Sequence, residues 1–279
     1  MGRDAGAAHT LGAMTTSAAD HRLGHDRYCA EVVAQTDRLR ALLARTELSA
    51  TVPTCPEWTV SELVRHVGGA HRWAETIVRT RATEVVRPDQ VPNGDGPDGD
   101  DPAALDAWLA EGAALVAETL RAAGPDTRVW TWTPAGTAGF WARRMTHETL
   151  VHRADAASVG GGAFEVDHAV AADSLDEWLE ILGSPAGPFV SPKLGSLGHP
   201  GQSIHLHATD AEDAEWLIEL GESGFTWSRS HAKATVAVRG PLADLLRVFY
   251  RRLPADSDRV EVLGETALLD HWLECASFG

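Results

Sequence analysis

The chain has 279 residues, 44% of them hydrophobic, which is enough for two modest domains with ordinary cores. Its formal charge of -16 argues against nucleic acid, because phosphate binding needs clustered Lys and Arg, and the basic residues here are scattered among acids. No stretch approaches the roughly 20 consecutive apolar residues that span a bilayer, so no membrane-spanning helix is expected. Residues 1–20 carry Arg3, Asp4 and Asp20 without an apolar run and read as a disordered extension rather than a signal. The three cysteines, Cys29, Cys55 and Cys275, lie far apart with no CxxC spacing, which suits a reducing cytoplasm and offers neither a disulfide framework nor a thiolate zinc site. An anionic substrate would have to be captured by local positive charge, since the overall field repels it.

A first amphipathic helix is expected from about His21 to Arg45, on Leu23, Val32, Val33, Leu39, Leu42 and Leu43. Thr59-Val60-Ser61-Glu62 has the form of a capping box and opens a second helix running to about Arg81. Residues 84–101 collect Pro, Gly and Asp and read as an exposed acidic loop that could shape access to a site. Asp101 as N-cap and Pro102 in the first position start a third helix, which Gly124-Pro125 ends. A fourth runs from near Ala138 to Ala157 and stops at Gly160-Gly161-Gly162.

Four helices in about 140 residues imply a bundle over 21–160. Beyond the glycines the texture changes. A helix from about Asp167 to Leu182 is followed by alternating segments such as Ser203–His207 and Ala234–Val238, which read as strands. Helices near 241–252 and 266–276, with a strand near 259–263, complete a small second domain over 163–279, so the fold class is α+β with two domains.

The fourth helix contains His147-Glu148-Thr149-Leu150-Val151-His152, superficially like the His-Glu-x-x-His signature of zinc proteases. That motif needs histidines at i and i+4, whereas His147 and His152 are five apart and diverge by about 140° around the helix. Glu148 and His152 do share a face, with Trp141 and Asp155 one step further out in either direction. A bundle metal site needs another ligand from a facing helix, and the second helix offers His66 and His71, of which His66 is placed facing inward with Leu63, Ala70 and Trp73. Two nitrogens and a carboxylate suit zinc and leave a fourth position for water or a thiolate. On spacing alone the bland alternative stands beside this one, with His66 a hydrogen-bonded core histidine and Glu148/His152 a surface pair.

Other residues invite similar weighing. His71 and His147 could relay protons, but structural roles are favoured. His205 and His207 share a strand face as two ligands would, yet no acidic or third imidazole partner is evident, and a solvated face is the expectation. Asp155 could orient His152 or cap a turn. Trp73, Trp130, Trp132 and Trp141 could wall a pocket, though core packing is the commoner use of such rings. Cys55 is expected to be inert packing.

The run Cys55-Pro56-Glu57-Trp58-Thr59-Val60-Ser61-Glu62-Leu63-Val64-Arg65-His66-Val67-Gly68-Gly69 resembles the signature of the mycothiol-dependent maleylpyruvate isomerase family. Met145-Thr146-His147-Glu148-Thr149-Leu150-Val151-His152-Arg153-Ala154-Asp155 resembles the family's other metal-bearing segment, at an appropriate distance. In the second domain, Val238–Leu246 and the following Arg251-Arg252-Leu253 look like the family's C-terminal module. The resemblance implies a DinB-like metal-binding four-helix bundle followed by a small α+β domain. It places the ligands of a zinc or other divalent ion on His66, Glu148 and His152, and a functional arginine on Arg252. The family's usual Gly before that arginine is here Arg251.

The activity so implied is addition of a thiolate of mycothiol, a low-molecular-weight thiol, to an electrophilic small molecule. Rotation and elimination then give the trans isomer, with Arg252 holding a substrate carboxylate. A mycothiol S-transferase that stops after addition, and a non-catalytic metal-stabilised binding or regulatory protein, are the alternatives. A hydrolase using zinc-bound water is a third, distinguished by turnover without thiol.

Overall fold

The first helix, α1, spans His25–Leu43, and the hairpin β1 (Thr51–Val52) and β2 (Cys55–Thr59) leads directly into α2, Val60–Thr80. These come from a computed structural model that describes residues 22–222 and 224–277, so the extension expected over 1–20 lies outside the described residues. The hairpin was not foreseen, because a two-residue strand and one containing Pro56 carry no alternating pattern. The capping box forms as expected: Thr59 Oγ1 accepts from Glu62 N at 3.3 Å, and the Glu62 carboxylate accepts from Thr59 N at 2.7 Å.

Helix α3 spans Pro102–Ala123, with the Asp101 carboxylate capping Ala103 N, and Gly124 turns the chain away at φ 76°. Helix α4 spans Ala138–Gly160 and is ended by Gly161 at φ 62°. The four helices pack as a bundle. Helices α2 and α3 approach so closely that a Cβ on Gly68 would lie 2.1 Å from the Trp108 ring. Beside it Arg72 stacks on that ring and donates from Nη2 to the Trp108 carbonyl at 2.8 Å.

The C-terminal half begins with α5, His168–Gly183, capped by Asp167, and the short α6, Gly187–Val190. Then follow β3 (Ser203–Ala208), β4 (Glu215–Gly221), β5 (Gly224–Ser228), β6 (Val236–Gly240), α7 (Leu242–Phe249), β7 (Glu261–Gly264) and α8 (Thr266–Cys275). The sheet order is β5-β4-β3-β6-β7, antiparallel except for the parallel pair β3/β6. One face, carrying Ile204, Leu206, Trp216 and Ile218, is buried with Leu175 and Trp178 of α5 and Trp272 of α8. The opposite face carries His205, His207, Glu215 and Leu217.

Helix α4 is buried on nearly every side because it serves both halves. Ala142 and Met145 belong to the bundle core, while Arg143, Arg144 and His147 face α5. Arg143 Nη2 lies 3.0 Å from Asp173 Oδ1, Arg144 Nη1 donates to Glu177 Oε2 at 2.6 Å, and His147 Nε2 lies 2.7 Å from Asp173 Oδ2. Charges so far out of water persist only in pairs, which makes this network the polar seam between the halves. Among the described residues no helix is long and apolar enough to cross a membrane, and all three cysteines are free thiols.

Candidate metal centre

His66 on α2 and Glu148 and His152 on α4 converge. His66 Nε2 lies 2.9 Å and His152 Nε2 3.2 Å from the same oxygen, Glu148 Oε1, and the three ligand atoms all lie within 4.8 Å of one another. The i, i+4 spacing stacks Glu148 and His152 on one face, and the crossing of α2 over α4 brings the second imidazole to it. The inward placement of His66 needs correction. Its side chain is 38% exposed, at the solvent end of the contact, while Leu63 turns into a separate core. His71, five residues on and therefore on another face, is fully buried against Thr149 Oγ1 at 2.8 Å.

A chain of hydrogen bonds fixes the candidate ligands from behind. His152 Nδ1 donates to Asp155 Oδ2 at 2.8 Å, which leaves Nε2 as the nitrogen facing Glu148. Asp155 is itself gripped by Arg252 from the C-terminal half, Nε to Oδ1 at 2.9 Å and Nη2 to Oδ2 at 3.1 Å, and by the Thr54 hydroxyl at 2.6 Å. Burial opposes ionisation of Asp155, but His152 and Arg252 outweigh it and hold the carboxyl down at about 2. Burial likewise works against a charged His152, yet hydrogen bonds to Asp155 and Glu148 raise it to about 9. Glu148 stays well below the usual carboxylate range despite its burial, through His152, His66 and the Arg144 guanidinium at 3.5 Å.

The residues expected to carry chemistry thus assemble, with one change of partner. Arg252 was expected to grip a substrate carboxylate, and the carboxylate it meets here is that of Asp155; its Nη1 donates to the Tyr250 carbonyl at 2.7 Å. Arg251, in place of the glycine, adopts φ 60°. Cys55 Sγ lies 3.8 Å from Arg252 Nη2, and burial and Asp155 push its thiol up rather than toward a reactive thiolate.

A cleft of about 670 Å³ opens over His66 and Glu148. Trp73, Trp132 and Trp141 form part of its wall, so these rings serve as core and lining at once, while Trp130 packs behind them against Trp73 and Trp141. The 84–101 loop adds Val86, Pro88 and Val91 to the lining, with Trp73 Nε1 donating to the Val86 carbonyl at 2.8 Å. Arg65 holds that loop in place by donating to the carbonyls of Asp95, Pro97 and Gly99.

The sequence matches the family model for the mycothiol maleylpyruvate isomerase N-terminal domain over residues 29–157 and that for its C-terminal domain over 169–271. The chain belongs to the mycothiol maleylpyruvate isomerase family. Crystal structures of mycothiol-dependent maleylpyruvate isomerase and of a histidine-to-alanine variant share its fold, with 17% and 16% identity. Each comparison covers 90% of this chain and 97% of the other, at a TM-score of 0.56. No curated protein matches the sequence.

Two contributions to the candidate centre were missed in the sequence. Arg144, on the Glu148/His152 face at i−4, links the glutamate to Glu177 of α5; the spacing was visible, but its partner lies 33 residues away. Trp58 covers the imidazoles, its ring 4.7 Å from that of His66 and 5.8 Å from that of His152. It comes from β2, the strand the sequence pattern did not reveal.

Proposed function

We propose that the chain is a zinc-dependent, thiol-activating enzyme that adds mycothiol to an electrophilic small molecule in the tryptophan-lined cleft, by isomerisation or S-transfer. The single observation that carries this is the convergence of two imidazole nitrogens and one carboxylate oxygen, His66 and Glu148 of which line the cleft, a donor set that suits a divalent zinc with a position left open. When bound there, the ion would supply the Lewis acidity that brings a thiol's proton loss to neutral pH.

The chain's own residues do the rest. Asp155 and Arg252 hold the His152 ring so that Nε2 faces Glu148, and Arg144 steadies Glu148. Arg252 is a positioning residue in this reading. The tryptophan wall and the valines of the 84–101 loop exclude water and present an apolar surface to the electrophile. A carboxylate on that electrophile would meet Arg87 in the cleft lining, where the cation also pairs with exposed Asp89. A free-thiol cosubstrate is consistent with a reducing cytoplasm.

The test is turnover of maleylpyruvate and of simple unsaturated acids by the zinc-loaded chain, with and without mycothiol, and by His66→Ala. Turnover that needs both thiol and zinc, and is lost in the variant, supports the reading. A trans isomer as product identifies isomerisation and a thioether identifies S-transfer, whereas zinc-dependent hydrolysis without thiol overturns it.

A further inference from the structure

The open face of the C-terminal sheet holds a second cluster of ligating side chains, some of which the sequence left without partners. His205 and His207 point the same way from β3, and Glu215 of β4 sits in register opposite His207. His231, from the segment joining β5 to β6, completes the group. The acidic partner and third imidazole that the sequence did not reveal are therefore present, which corrects the expectation of a merely solvated face.

The geometry is not that of ordinary hydrogen bonding. Three imidazole nitrogens approach a single atom, Glu215 Oε2: His205 Nε2 at 2.8 Å, His207 Nδ1 at 2.9 Å and His231 Nδ1 at 2.6 Å. A carboxylate oxygen has two lone pairs and cannot accept three N–H groups at once. His205 Nε2, on a side chain only 7% exposed, lies 2.8 Å from that oxygen yet has no hydrogen-bond partner among the described residues. The three rings stand 5.3–5.8 Å apart between centroids and 69–88° to one another, so they present edges rather than stacked faces to a common centre. One cation among the four donors would satisfy every nitrogen that the carboxylate cannot.

We propose that His205, His207, Glu215 and His231 form a second metal site, for Zn²⁺ or a divalent ion of similar preference, independent of the centre in the bundle. Three imidazoles and a carboxylate are the donors that ions of this class favour over Mg²⁺ or Ca²⁺. Four protein ligands fill a tetrahedral shell, so the site is structural and not catalytic. It ties the segment before β6 to the sheet. That segment is already anchored two residues before His231, where Arg229 stacks on Trp216 at 4.7 Å and donates to Asp176 Oδ2 at 2.7 Å. The anchor limits the freedom His231 must lose on binding.

The experiment uses the full chain carrying His66→Ala and His152→Ala, stripped of metal, so that the bundle centre is disabled. Zn²⁺ is titrated against a chromogenic chelator, and Co²⁺ uptake is followed by its visible absorption. We expect one equivalent bound with a tetrahedral cobalt spectrum. Adding His231→Ala, on an exposed segment where folding is little at risk, should weaken affinity by more than ~100-fold, beyond the loss typical of an outer hydrogen-bonding partner. Glu215→Gln in the same background should also weaken it. No uptake by the doubly substituted chain, or uptake that His231→Ala and Glu215→Gln leave unchanged, overturns the proposal. Neither result bears on thiol-dependent turnover, which is read at the other centre.

Discussion

Arg252 and Asp155, 97 residues apart, meet in a paired guanidinium–carboxylate contact that joins the C-terminal half to α4, the helix that carries Glu148 and His152. Through Asp155 the contact fixes the ring of His152, so the second domain reaches the candidate centre without touching it.

If Arg252 acts by positioning, Arg252→Ala should weaken zinc affinity by ~10–100-fold, as loss of such outer partners does, while full occupancy returns at saturating zinc. The zinc-saturated variant should then lose activity equally on charged and uncharged electrophiles, with Arg252→Lys intermediate. Parallel zinc titrations and kcat/KM values on both electrophiles check this. A loss confined to carboxylate-bearing substrates would instead assign Arg252 to the substrate.

Glu148→Ala and His152→Ala should each remove the bundle-bound metal and thiol-dependent turnover together, because each takes one of the three proposed ligands. Elemental analysis against the stripped wild type measures the first effect. Unchanged occupancy of the bundle centre in both variants would sink the ligand assignment.

Gly68→Ala should destabilise the bundle by about 1–3 kcal/mol, the usual cost of overpacking, since the new methyl group would lie 2.1 Å from Trp108 and force α2 and α3 apart. Urea unfolding gives the stability. Weaker zinc binding should accompany the loss, because His66 sits two residues before the clash.

Acid should loosen the seam between the halves. Burial alone would raise Asp173, but His147 and Arg143 outweigh it and hold the carboxyl at about 2, below its ordinary 3.8. A depressed carboxyl contributes stability that is complete above its unfolded value and is lost as pH falls from about 4 through about 2. The contribution is about 2 kcal/mol. Asp173→Asn should lower stability at neutral pH and flatten this acid limb, which denaturant titrations from pH 6 to pH 2 would reveal.

The helices were legible in the sequence because their signals are local. Thr59 and Glu62 start α2 through atoms three residues apart, Asp101 and Pro102 start α3, and the glycines at 124 and 161 end α3 and α4 with backbone angles other residues resist. Local geometry also paired Glu148 with His152 and separated His147 from both. It could not choose between His66 and His71, because that depends on how α2 crosses α4; family resemblance made the choice, and the tertiary structure brings His66 to Glu148 while burying His71 on Thr149.

The strands β4 and β5 and the companions of His205 lay beyond local reading for the same reason. Glu215 is ten residues from His205 and His231 a further sixteen, and only sheet registry and the returning segment bring their donor atoms within 4.8 Å. Helical spacing is a property of one continuous segment, so the sequence alone determined the bundle's elements and paired two of the three proposed ligands, Glu148 and His152. Partnership across the halves, as between Arg252 and Asp155, depends on where separate elements come to rest, and that only the packing of the whole chain decided.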